Sequence, residues 1–245
     1  MATFVLVHGA FFGAWCWQRV IPRLEARGHN VHAVTLTGLG ERAHLLTPEV
    51  GLQTHVDDVV NLLESKDLHE VVLVGHSYAG MVIGCASHRV PQRLAHLVYL
   101  DAFVPEHGKS LFDLQVERFR NALQALADVE GGGWKIPPLD PGGETLGVSN
   151  AEDIEWLRSK LTAHPLRTLR EQATLDHPNA HRILRTYISC TGNPPDGSFL
   201  RIAEKLKAEP GWSCLELPSS HSAMITAPDA LTDRLLRVVS ESSEA

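Results

Sequence analysis

The chain has 245 residues, enough to bury one large core together with an insertion. Its 44% hydrophobic and 21% charged residues, 19 Gly and 14 Pro describe a globular protein, and a formal net charge of −7 with no basic run argues against nucleic acid as a partner. No uninterrupted apolar stretch of about 18 residues is present to span a membrane. The N-terminus lacks the basic segment of a signal peptide, so a cytoplasmic protein is expected.

The chain opens on an apolar, β-branched run at residues 4–7, the first predicted strand. A helical pattern follows at about 16–27, a second strand at 31–36 and a second helix at 54–65. A third strand, 71–74, runs straight into Gly75-His76-Ser77-Tyr78-Ala79-Gly80 and an apolar helix at 79–89. A fourth strand covers 94–100. Continuous apolar strands joined by amphipathic helices predict a parallel sheet covered on both faces, with 71–74 central.

The pattern changes at residue 105. Helical segments near 111–127, 150–160 and 165–174 have no convincing strand between them, and Gly131-Gly132-Gly133-Trp134 with Pro137-Pro138 marks a turn-rich connector. Strands return at 186–190 and 213–217, with helices at about 198–208 and 228–239. The sequence therefore predicts a core of residues 1–104 and 181–245 and a helical cap at 105–180, set over the carboxyl ends of the strands where open α/β sheets bind ligands.

The turn after the third strand has the form of a nucleophile elbow, in which a strained serine sits between strand and helix. The pattern here is G-x-S-x-A, with Ala79 where a second glycine is usual and Gly80 one residue later. Ser77 is the candidate nucleophile. A serine needs a base within reach, and His221, in the loop between the last strand and the last helix, is the candidate. Two aspartates compete as its partner. Asp101 ends an apolar strand, where a carboxylate requires a partner; Asp196 lies in a Pro-Pro-Asp-Gly turn with a structural purpose of its own. Asp101 is favoured.

The backbone N–H groups of Ala10 and Tyr78 are the candidate oxyanion donors, with His8 bracing the first loop. Phe11, Phe12 and Trp134 are the candidate substrate-binding residues, and Trp15, Phe103 and Trp156 are further aromatics that could reach the site. The 14 histidines form no metal-ligand spacing, so neither metal nor cofactor is expected, and the partner should be a small apolar molecule.

Phe4-Val5-Leu6-Val7-His8-Gly9-Ala10, Trp15-Cys16-Trp17, Leu36-Thr37-Gly38-Leu39-Gly40, Gly75-His76-Ser77 and the late His221 together resemble the α/β-hydrolase superfamily. More narrowly, the chain resembles the cap-bearing branch of plant methyl esterases, hydroxynitrile lyases and bacterial esterases. The resemblance implies an α/β-hydrolase fold, a mostly parallel sheet of about six strands flanked by helices and carrying a helical cap. It implies a cofactor-independent serine hydrolase cleaving a small, aromatic carboxylic ester. Amide or carbamate hydrolysis by the same residues, and a non-catalytic binding protein on the same fold, are the alternatives. Many members take the acid from beyond the strand that here ends near Cys190, where this chain has Asn193; others take it from the position of Asp101. The lyases carry a threonine in the oxyanion loop and a lysine beside the histidine. Gly9 and Ser222 stand there instead, which disfavours a lyase.

Overall fold

In a computed structural model, which describes residues 1–141, 146–192 and 198–242, six parallel strands form the central sheet. They are β1 (Thr3–Val7), β2 (Asn30–Val34), β3 (Val71–His76), β4 (Leu94–Leu100), β7 (Leu184–Cys190) and β8 (Trp212–Leu217), in the spatial order β2-β1-β3-β4-β7-β8. The sheet is the one the apolar runs predict. Every residue of β3 is buried, as befits a central strand covered on both faces. The flanking helices include α1 (Ile21–Glu25), α2 (Leu52–Ser65), α3 (Ala79–Arg89), α7 (Ser198–Lys207), the short α8 (Ala223–Thr226) and α9 (Pro228–Ser242). Helix α2 packs beside α3, and α1 beside α9.

Strand order creates the crevice. β1 lies between β2 and β3, so the chain reverses direction across the sheet there, and the loops leaving β1 and β3 diverge at the place where open α/β sheets bind ligands. Register then places the candidate residues. Val7 pairs with Gly75, so Gly9 comes beside Ser77; His76 pairs with Leu100, so Asp101 follows next to Ser77. The register changes once, at the other end of β4. Val71 pairs with Leu94 but Val72 with His96, so Ala95 is the extra residue of a bulge.

One predicted helix divides. Residues 16–27 form a 3-10 turn, Ala14–Trp17, and the separate α1, because Pro22 can begin a helix but cannot continue one. The segment 105–180 contains a 3-10 turn at Phe112–Leu114, α4 (Glu117–Glu130), α5 (Ala151–Lys160) and the short α6 (Arg167–Arg170). It also contains a two-stranded antiparallel ladder, β5 (Lys135–Ile136) with β6 (His164–Pro165). Two-residue strands leave no period to detect, which is why the sequence predicts no strand there. α5 is fastened to the core: Asp153 accepts hydrogen bonds from Arg19, whose guanidinium also lies 5.5 Å from the ring centre of Trp156. Trp156 meets Trp15 edge to face at 5.1 Å. Among the described residues no helix is long and apolar enough to cross a membrane.

Candidate active site

Ser77 and Asp101 each leave a strand in the left-handed region, with φ of 55° and 43°. Neither is glycine, so the strain must be held by surrounding bonds. The Ser77 N–H donates to Leu100 O at 3.2 Å, and the Asp101 N–H to Ile188 O at 2.8 Å, so each turn is pinned by the neighbouring strand.

Asp101 is wholly buried. Its Oδ2 lies 2.7 Å from His221 Nδ1, and its Oδ1 accepts the Cys190 N–H at 3.1 Å. A carboxylate so placed requires a proton on Nδ1, which leaves Nε2 of His221 as the free, basic nitrogen. Two rings lie against the imidazole. Phe199 stacks on it at 4.7 Å and 13°, and His76 lies at 4.5 Å. His76 Nε2–H also donates to His221 O at 2.9 Å, fixing the backbone of the same residue. Burial, and then the nearby His221, hold His76 well below the ordinary histidine value, so it stays neutral in this role. Asp196, the alternative acid, lies outside the described residues.

The two candidate oxyanion peptides are oriented through their carbonyl ends. Leu36 N–H donates to His8 Nε2 at 3.1 Å, so the His8 proton is on Nδ1, which donates to Gly9 O at 2.8 Å. Burial lowers His8 to about 4, keeping it neutral. In a planar trans peptide the N–H points opposite the carbonyl, so holding Gly9 O aims the Ala10 N–H the other way. The second peptide repeats the arrangement: Ser77 O accepts from Gly80 N and Phe103 N, both at 3.1 Å, and the Tyr78 N–H points opposite. Gly80 makes this possible, because a Cβ there would lie 1.9 Å from Phe103 O. The glycine that packing demands is therefore Gly80, and Ala79 at the expected position is accommodated.

Ala10, Ser77, Tyr78 and His221 all line one cavity of about 220 Å³, together with Phe11 and Phe12. The sequence missed most of the remaining wall, which comes from Phe103, Phe199 and Leu200 and from residues of the 105–180 segment including Leu111, Gln115, Phe119, Leu123 and His164. Trp134 is not brought to this cavity. Its half-buried ring carries the Lys135 ammonium at 5.2 Å, and its carbonyl accepts the Leu166 N–H. Trp15 and Trp156 also stand outside the lining, whereas Phe103 is part of it.

A threonine of the 105–180 segment joins the loop after β1. Thr162 N–H donates to Phe11 O at 3.0 Å, and its hydroxyl approaches the same oxygen at 3.4 Å while accepting Gly40 N–H at 3.2 Å. Phe11 itself has a φ of 71°, so this clamp holds a third strained residue at the site. Among the described residues, no group of three or more His, Cys, Asp or Glu side chains comes together to hold a metal ion.

Residues 4–234 match the family described as the alpha/beta hydrolase family. The chain is 36% identical over 242 residues to a carbendazim hydrolyzing esterase of Nocardioides sp., covering 96% of this chain and 98% of that one. It is 29% identical to methylesterase 3 of Arabidopsis thaliana, covering 97% and 95% of the two chains. An extracellular alpha/beta-hydrolase from a Paenibacillus species shares the fold with a TM-score of 0.85 at 24% identity, covering 97% and 98%.

Proposed function

The chain belongs to the alpha/beta hydrolase family, and from that membership we propose that it is an esterase acting on small apolar, aromatic carboxylic esters through Ser77, His221 and Asp101. The observation that carries this reading is the buried 2.7 Å contact of His221 with Asp101 at the edge of a cavity that Ser77 also lines. His221 Nε2 takes the Ser77 proton as Oγ attacks the ester carbonyl. The negative charge that develops on the carbonyl oxygen is met by the N–H groups of Ala10 and Tyr78. The C–O bond then breaks, and His221 returns the proton to the departing alkoxide, releasing an alcohol. Water attacks the acyl-serine with His221 again as base, and the products are a carboxylic acid and free Ser77. The 105–180 segment acts as a cap, supplying the apolar wall that excludes water and selects the substrate.

Similarity to the carbendazim hydrolyzing esterase favours a second reading in which the same residues cleave an aryl carbamate. Rates on matched aryl esters and aryl carbamates, with Ser77→Ala as the blank, separate the two. The mechanism itself is tested with a fluorophosphonate probe. Labelling at Ser77 that is lost in His221→Ala supports it. No labelling, as a binding protein on this fold would give, overturns it.

A further inference from the structure

The wall of the cavity is built mainly of Phe and Leu side chains, and two uncharged polar residues of the 105–180 segment, Gln115 and His164, interrupt it. Gln115 is 9% exposed and lines the cavity. Its backbone N–H closes the turn onto Phe112 O, but its carboxamide has no hydrogen-bond partner among the described residues. An amide buried among apolar side chains costs free energy unless something meets it, and buried polar groups in native proteins are met almost without exception. Its neighbours along the wall, Leu111, Phe119, Leu123 and Leu146, offer neither donor nor acceptor side chains.

A second unmet atom belongs to His164, which also lines the cavity. His164 is fully buried, and its Nε2 is 2.8 Å from Thr168 Oγ1. The Thr168 hydroxyl gives its own proton to Pro165 O at 2.7 Å, so the imidazole proton must be on Nε2. Nδ1 is then a bare lone pair with no partner. Burial keeps the ring neutral, so it remains an acceptor. Gln115 presents an oxygen that calls for an N–H or O–H donor and an NH2 that calls for an acceptor beside it, which together are the complement of another amide.

We propose that Gln115 is a specificity-determining residue that selects substrates carrying a hydrogen-bond donor, of the amide N–H type, in addition to the scissile ester or carbamate. The inference rests on the hydrolase reading above and narrows its substrate class. Selection of this kind is strong because a substrate without the donor leaves the Gln115 oxygen unmatched beside apolar side chains.

The test compares ring-substituted esters that differ only in a primary carboxamide against a methyl ketone, which keeps the carbonyl and replaces NH2 by CH3. Meta and para isomers are used in two series, aryl acetates and methyl benzoates, so that the ring is placed on the leaving and the acyl side. In the unaltered protein, kcat/KM for the carboxamide should exceed that for the ketone by at least about tenfold in one series. In Gln115→Leu and Gln115→Met the ratio should collapse toward unity, through KM. Both esters are measured on one preparation, so the amount of folded enzyme cancels. Ester turnover with a ratio unchanged by either substitution overturns the assignment of Gln115 and leaves the hydrolase reading intact. No turnover of any ester by the unaltered protein overturns both.

Discussion

Asp101 divides its two carboxylate oxygens between His221 and the backbone: Oδ2 lies 2.7 Å from Nδ1 of the imidazole and Oδ1 takes the Cys190 N–H at 3.1 Å. The second contact decides what an amide would do in its place. In Asp101→Asn the carbonyl oxygen stays with Cys190 N–H, so the NH2 faces His221. Nδ1 must then accept, the proton moves to Nε2, and the base toward Ser77 is gone. The expected fall in kcat is about 10⁴-fold with the fold retained. Asp196→Asn should change kcat by about twofold at most. Equal, mild effects of both substitutions would remove Asp101 from the mechanism.

Gly9 is tested by adding one carbon. A Cβ there would stand 2.9 Å from His76 Nδ1 and 3.0 Å from Ser77 Cβ, with no flexible chain end to give way. Gly9→Ala should displace the loop from the elbow and withdraw the Ala10 donor. A loss of about 10²-fold in kcat with KM little changed is expected. Unaltered kcat would show that Ala10 makes no contribution to the transition state.

Thr162 predicts communication between the cap and the oxyanion loop. Thr162→Val removes the hydroxyl that bridges Gly40 N–H and Phe11 O while keeping volume and the backbone bond. Loss of about 1 kcal/mol of support for the strained Phe11 should lower kcat by about fivefold, and Thr162→Ser should restore it. A change confined to KM, or no rescue by serine, would contradict the clamp.

Stability should fall in mild acid. Burial lowers both His8 and His55 from 6.5 to about 4, and His76 and His164 are lowered by the same cause. The unfolded chain therefore binds protons that the folded chain refuses. The stabilisation is complete above about pH 6.5 and is lost as pH falls from there toward 4, at about 1.4 kcal/mol per pH unit for each such histidine. Urea midpoints between pH 7 and 4.5 should decline, less steeply in His55→Phe. A flat profile would mean that these rings are charged in the folded state.

What the sequence reveals follows the physics that writes periodic signals. The strands announce themselves because buried parallel strands are continuous apolar runs, and Ser77, Asp101 and His221 are legible because each directly follows a strand or occupies the loop after the last one. Phe11 and Phe12 are found by adjacency to Gly9. Gln115, Phe119, Leu123 and His164 leave no such trace. They reach the cavity from a turn, one helix face and a two-residue strand, and only three-dimensional packing brings them together. Trp134 illustrates the converse: an aromatic in a glycine-rich loop looks available for ligand, yet its ring stands beside Lys135.

The bulge at Ala95 gives the chain an uneven tolerance to length changes. It lies six residues, or about 20 Å of strand, from Asp101, and from His96 onward the pairing runs without interruption until Leu100 meets His76. Deleting Ala95 would remove only that extra residue, whereas deleting one residue between Leu97 and Leu100 would advance the end of β4 by one position, turning the following side chains to the opposite face and moving Asp101 out of line with His221. Beyond Phe103 that frame no longer applies, because the next sheet strand begins only at Leu184. Residues gained or lost between those points alter the chamber over the site without shifting the aspartate beneath it. Evolution can thus rewrite substrate choice by insertion and deletion in one stretch, while a single lost codon at the end of the neighbouring strand ends the chemistry.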